Sequence, residues 1–92
     1  MWRDELETFK KWLESETTLT YLSRKDVISR LARAASITGA TTSEDLAGLV
    51  SKYDIQVGPQ IQSPFVRTQV KRSLKLFAQF KGKVNQVNNK PQ

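Results

Sequence analysis

The chain has 92 residues, of which 38% are hydrophobic and 9% aromatic, and a formal net charge of +6. That length allows one domain with a compact core, and the apolar content argues against a disordered chain. Cysteine and histidine are both absent, which excludes disulfides and thiolate metal sites and removes the commonest general base and zinc ligand.

The first segment, "WRDELETFKKWLESE", places Trp2, Leu6, Phe9 and Leu13 on one helical face, with Trp12 on its flank. Asp4, Glu5 and Glu7 fill the first turn, where the helix dipole favours acids. This predicts a helix over about 3–15. There is no apolar leader region and no run of about 18 apolar residues, so neither a signal peptide nor a membrane span is expected. A soluble cytoplasmic protein is the default.

After the threonine-rich break "ETTLTYL", Ser23 and Asp26 form a capping-box pattern that predicts the start of a second helix. Val27, Ile28, Leu31, Ala34 and Ala35 share its apolar face, and Gly39 supplies the C-terminal stop. Thr41 and Glu44 suggest a third, shorter helix carrying Leu46, Leu49, Val50 and Tyr53, weakened at Gly48. "QVGPQIQ" is expected to be a loop. Ser63-Pro64 then marks a strong helix start, followed by the stripe Val66, Val70, Leu74, Phe77 and Phe80. Gly82 is expected to end this fourth helix, leaving 83–92 as a disordered basic tail. No strand pattern occurs. The expectation is an all-α, compact four-helix bundle over 1–82, with Trp12 and Phe77 in its core.

Charge alternates along the chain. Residues 1–16 are net −2, 17–40 net +3, 41–54 net −2, and 55–92 net +7 with no acid at all. The second and fourth helices therefore carry the positive charge. On the second, Arg24 and Lys25 stand at the N-terminus, where cations oppose the dipole, while Arg30 and Arg33 lie opposite the Ile28–Ala35 flank. On the fourth, Lys71, Arg72 and Lys75 lie away from the apolar stripe together with Thr68, and Arg67 stands at the boundary. Only Asp26 offers a compensating acid on either face. One such face is ordinarily just solvated surface. Two, on a molecule whose other helices are acidic, favour oriented approach to a polyanion, and these side chains are the types that reach phosphates and base edges.

The aromatic residues mostly fit core stripes. Phe65 and Tyr21 stand near helix starts, and a single-strand stacking platform would need more exposed rings among the basic residues. Paired acids such as Glu44-Asp45 sit in a first turn, and the serines that stand out are caps without a histidine to activate them. No catalytic constellation, cofactor motif or metal-ligand set emerges.

The segments "FKKWL", "LSRKDVISRLARA", "TSEDLAGLV" and "SPFVRTQVKRSLKLFAQF" together resemble the N-terminal SAM-like core-binding domain of tyrosine recombinases and phage integrases. Phe9, Trp12 and Leu13 match its Phe-x-x-Trp-Leu; Leu22, Ser23, Ser29, Arg30 and Leu31 match the segment entering the second helix; Phe77 and Phe80 match the aromatic end. Asp26 departs from the usual threonine. The resemblance spans about 6–81. It implies a domain that clamps duplex DNA through its second and fourth helices, in the cytoplasm of a prokaryotic, archaeal or phage system. It also implies a non-catalytic role, since the family's catalytic half is absent, either as an integrase fragment or as a free-standing relative. Expected partners are double-stranded DNA and a further recombinase domain or a second copy, without membrane or small-molecule substrate. The rival reading is a small helical adaptor whose basic face binds an acidic protein.

Overall fold

In the computed structural model, which describes residues 1–89 with side chains through Gly82, the fold is all-α, and the described residues contain no strand. A 3-10 turn at Trp2–Glu5 leads into α1, Leu6–Glu16, and α2 follows at Tyr21–Thr38. The third helix, α3, is short, Ser43–Gly48; a π-helical turn at Tyr53–Val57 and a 3-10 turn at Gly58–Gln60 then lead into α4, Pro64–Asn89. Helices α2 and α4 form the most extensive contact. Among the described residues no helix is long and apolar enough to cross a membrane.

The core is built where the stripes predict. Phe9, Leu13, Leu31, Leu46, Val70, Leu74 and Phe77 are fully buried. Phe9 stands at its centre, edge-on to Phe77 at 5.1 Å and tilted against Phe80 at 5.2 Å, separations at which aromatic pairs add to simple area burial. Trp12 is only partly buried: it stacks on Phe9 at 6.0 Å and meets Phe80 at 5.8 Å. The flank position of Trp12 on the α1 stripe accounts for this.

Four helix ends and one loop differ from expectation. Helix α2 starts at Tyr21, because Thr20 rather than Ser23 is its N-cap and accepts the Ser23 N–H at 3.2 Å. Tyr21 and Leu22 are thereby wound into the exposed first turn. At α3 the cap is Thr42 rather than Thr41, accepting the Asp45 N–H at 3.0 Å. That helix stops at Gly48 instead of reaching Tyr53, and i→i−3 bonds such as Ser51 N–H to the Gly48 carbonyl, 3.3 Å, tighten the chain beyond it. The expected loop at Gly58-Pro59 is helical, with Gly58 buried under the Tyr53 ring. A Cβ there would meet Tyr53 Cε1 at 3.3 Å, tighter than nine in ten such contacts, so a larger residue requires the ring to give way by a few tenths of an ångström.

Two stops predicted at glycines have opposite outcomes. Gly39 closes α2 with φ 78°, its N–H bonded to the Ala35 carbonyl at 2.8 Å, the left-handed cap that glycine adopts without strain. Gly82 does not end α4, which continues to Asn89 and so into the segment expected to be a tail. A glycine costs a helix about 1 kcal/mol relative to alanine but ends it only when the chain turns left-handed there. Residues 90–92, the remainder of that expected tail, lie outside the described residues.

A polar tie holds the acidic N-terminal turn to the rest of the fold. Lys81 of α4 donates to both carboxylate oxygens of Glu5 at 2.9 and 3.0 Å, and the buried Ser43 hydroxyl donates to Glu5 Oε2 at 2.6 Å. Burial alone would raise the Glu5 pKa, but these hydrogen bonds and the Lys81 charge outweigh it and hold the carboxyl below its ordinary 4.5.

Candidate nucleic-acid interface

Helix α4 begins as its sequence signals: Ser63 Oγ accepts the Val66 N–H at 3.3 Å, with Pro64 at the first helical position. This start sets the register that turns Val70, Leu74, Phe77 and Phe80 inward. About 100° per residue then carries Thr68, Arg72 and Lys75 to the far side, and all three are exposed. The Thr68 hydroxyl donates back to the Pro64 carbonyl at 3.1 Å, which orients it without burying it. Neither Arg72 nor Lys75 belongs to any ion pair among the described residues.

The boundary of α4 is committed differently. The Tyr53 phenol donates to the Arg67 carbonyl at 2.6 Å, and the Lys71 ammonium lies 5.5 Å from the centre of the same ring. Burial raises the Tyr53 pKa above 10, Arg67 opposes that rise and Asp54 adds to it, so the phenol stays a donor at neutral pH. Arg67 and Lys71 are half-buried as a result. The Arg67 carbonyl and the Lys71 ammonium both engage Tyr53 of the π-helical turn, and Lys71 is a cation steered by an aromatic face.

On α2 the cations divide. Arg24, 22% exposed, donates from Nη1 to the Leu19 carbonyl at 2.7 Å and pairs through Nη2 with Glu14 at 3.6 Å. It joins α2 to the α1–α2 connection. Lys25 is exposed with its ammonium 5.7 Å from the Tyr21 ring centre. Arg30 is half-buried, and its Nε has no hydrogen-bond partner in the fold. Arg33 is exposed and outside every ion pair among the described residues.

The structure thus brings Arg24 and Lys25 together beside α1, and Arg67 and Lys71 together beside Tyr53. Arg33, Thr68, Arg72 and Lys75 remain as solvent-facing groups. One feature lies outside what the sequence pattern indicated. Lys10 and Lys11 of α1 line one groove with Arg24 and Lys25, a juxtaposition between helices that no single-helix pattern contains. Phe65 and Tyr21, which the sequence set apart from the core stripes by their places near helix starts, are 66% and 65% exposed. Among the described residues no group of three or more acidic, cysteine or histidine side chains is placed to hold a metal ion.

No protein-family model matches the chain, and neither the curated proteins nor the solved structures contain a match.

Proposed function

We propose that the domain binds duplex DNA non-catalytically, chiefly through the outer face of α4 with Arg33 of α2, as a module of the tyrosine recombinase core-binding kind. The observation that carries this reading is the exposed, unpaired state of Arg33, Arg72 and Lys75. Exposed cations outside any ion pair contribute little to the fold, and their charge is available to a phosphate backbone. Thr68 shares the α4 face of Arg72 and Lys75 and is exposed, with a hydroxyl suited to phosphate or base-edge contact. The sequence resemblance, with the acid-free stretch 55–92, supports the same assignment, on chromosomal or phage DNA in the cytoplasm.

Gel-shift titration of random duplex DNA at two salt concentrations tests it. Phosphate contacts release counterions, so affinity should fall steeply with salt while varying little with sequence. Absence of retention on duplex DNA at low salt would falsify the reading.

A further inference from the structure

Between α1 and α2 runs a groove of about 490 Å³ lined by Lys10, Lys11 and Glu14 on one side and by Tyr21, Arg24, Lys25, Ile28 and Ser29 on the other. The α2 positions repeat at i, i+3, i+4 and i+7, so they form one continuous helical strip rather than a chance cluster. The volume lies within the range of specific binding clefts.

The groove has two chemistries. Its apolar surface comes from the exposed ring of Tyr21, with the Lys25 ammonium 5.7 Å from the ring centre, and from the partly buried Ile28. Its cations come from both helices, Lys10 and Lys11 from α1 and Arg24 and Lys25 from α2. Arg24 is paired with Glu14 at 3.6 Å, and Lys10 with Glu7 at 3.4 Å on exposed surface. Lys11 and Lys25 belong to no ion pair among the described residues. A groove that joins apolar surface to cations from both helices is complementary to a ligand with an apolar ridge beside acidic side chains.

We infer that this groove docks an acidic amphipathic helix of a partner protein, the helix laying its apolar face on Tyr21 and Ile28 and its carboxylates against Lys11 and Lys25. This is the helix-in-groove mode, in which side chains at helical spacing anchor the ligand and flanking charges orient it. A nucleic-acid backbone satisfies the cations but leaves the apolar surface unused, apart from one ring for a base to stack on. The acidic helix uses both. The site is separate from the outer face of α4, so one molecule can hold DNA and a partner together.

The test uses the full chain and a fluorescent peptide of about 14 residues, roughly four helical turns, with leucines at i, i+3, i+4 and i+7 and glutamates on both flanks. A second peptide replaces the leucines with serine, and a thymidine oligonucleotide provides the single-stranded probe. The leucine peptide should bind saturably and move the backbone amide resonances of Lys11, Tyr21, Lys25, Ile28 and Ser29. The serine peptide should bind about tenfold more weakly or worse, having lost its apolar burial. Lys10→Gln with Lys11→Gln should weaken the leucine peptide about 3- to 10-fold, as loss of two groove charges implies, and leave duplex DNA binding unchanged. Arg72→Gln with Lys75→Gln should do the reverse. Thermal melts of both double variants confirm that they fold. The inference is overturned if both peptides bind within about twofold of each other, because charge alone then explains the attraction. It is equally overturned if the oligonucleotide takes the groove in preference to the peptide, or if no peptide binds at about 1 mM.

Discussion

Arg24 of α2 and Lys75 of α4 carry the same charge on the two basic helices, yet they do different work. Arg24 is 22% exposed, bonded to the Leu19 carbonyl and paired with Glu14. Lys75 faces water with no ion pair among the described residues. The same division separates Lys71, held over Tyr53, from Arg72 one residue on. Charge counted along a sequence measures how strong a field is; only the packing tells which charges are free to be neutralised by a ligand.

For this division to hold, α4 must be anchored by its inner face, so that its outer face has no structural duty. Phe77→Ala should therefore have the largest effect. Phe77 is fully buried against Phe9, and truncation of such a ring costs about 3–5 kcal/mol, close to the whole stability of a small domain. A urea titration measures it; a midpoint near that of the wild type breaks the assumed register of α4.

Next comes the outer face itself. Arg72→Gln with Lys75→Gln should leave the urea midpoint nearly unchanged and should flatten the dependence of log affinity for duplex DNA on log salt by about two units. Between about 50 and 200 mM salt, that difference changes the ratio of affinities about tenfold. Arg24→Gln serves as the opposite arm, because its charge is already engaged and the salt slope should stay as it is. Equal slope changes from both substitutions would show that net charge, not availability, governs binding.

Stability should invert the ranking. Arg24→Ala removes a charge-assisted hydrogen bond to a carbonyl and should cost about 1–2 kcal/mol, whereas Lys75→Ala should stay within about 0.5 kcal/mol of wild type. Thermal melts of the two variants decide the matter.

The smallest effect concerns Glu5, which contrasts an engaged acid with the exposed acids around it. Its folded pKa lies below 4.5, so the tie contributes fully above that value. The contribution disappears as pH falls through the depressed pKa. Lys81→Met, which removes one of the two side chains holding the carboxylate, should therefore destabilise the protein at pH 7 and make its acid limb shallower. Urea midpoints at neutral and acidic pH show whether the two curves converge.

Much of the frame was legible in advance because it depends on neighbours in sequence. Ser63-Pro64 marks the start of α4, Gly39 closes α2, and the spacing of Phe9, Leu13, Phe77 and Phe80 identifies the buried faces. The misread ends have physical causes of two kinds. Thr20 and Ser23 both have cap-forming side chains three residues apart, and the bond from Arg24 to Leu19, five residues back, lies beyond the span a capping motif compares. The turn at Tyr53–Val57 is organised around a phenol whose acceptor lies 14 residues away and a glycine pressed beneath its ring. Windows of helical periodicity contain neither fact. The candidate site was legible as a set of cations on two helices, while the division between engaged and free members depends on Glu14, Leu19 and Tyr53, none of which shares their helical faces.

The bond between Lys81 and Glu5 joins positions 76 residues apart, and this has a consequence for how the chain reaches its native state. Closing a flexible loop of that length carries an entropic cost of about 4 kcal/mol, so the contact is expected to form only after α1, α3 and α4 have already met. An interaction absent from the transition state acts on unfolding rather than on folding. The tie should then behave as a kinetic latch: in stopped-flow experiments Lys81→Met should steepen the loss of native protein by raising the unfolding rate, while the refolding limb stays where it was.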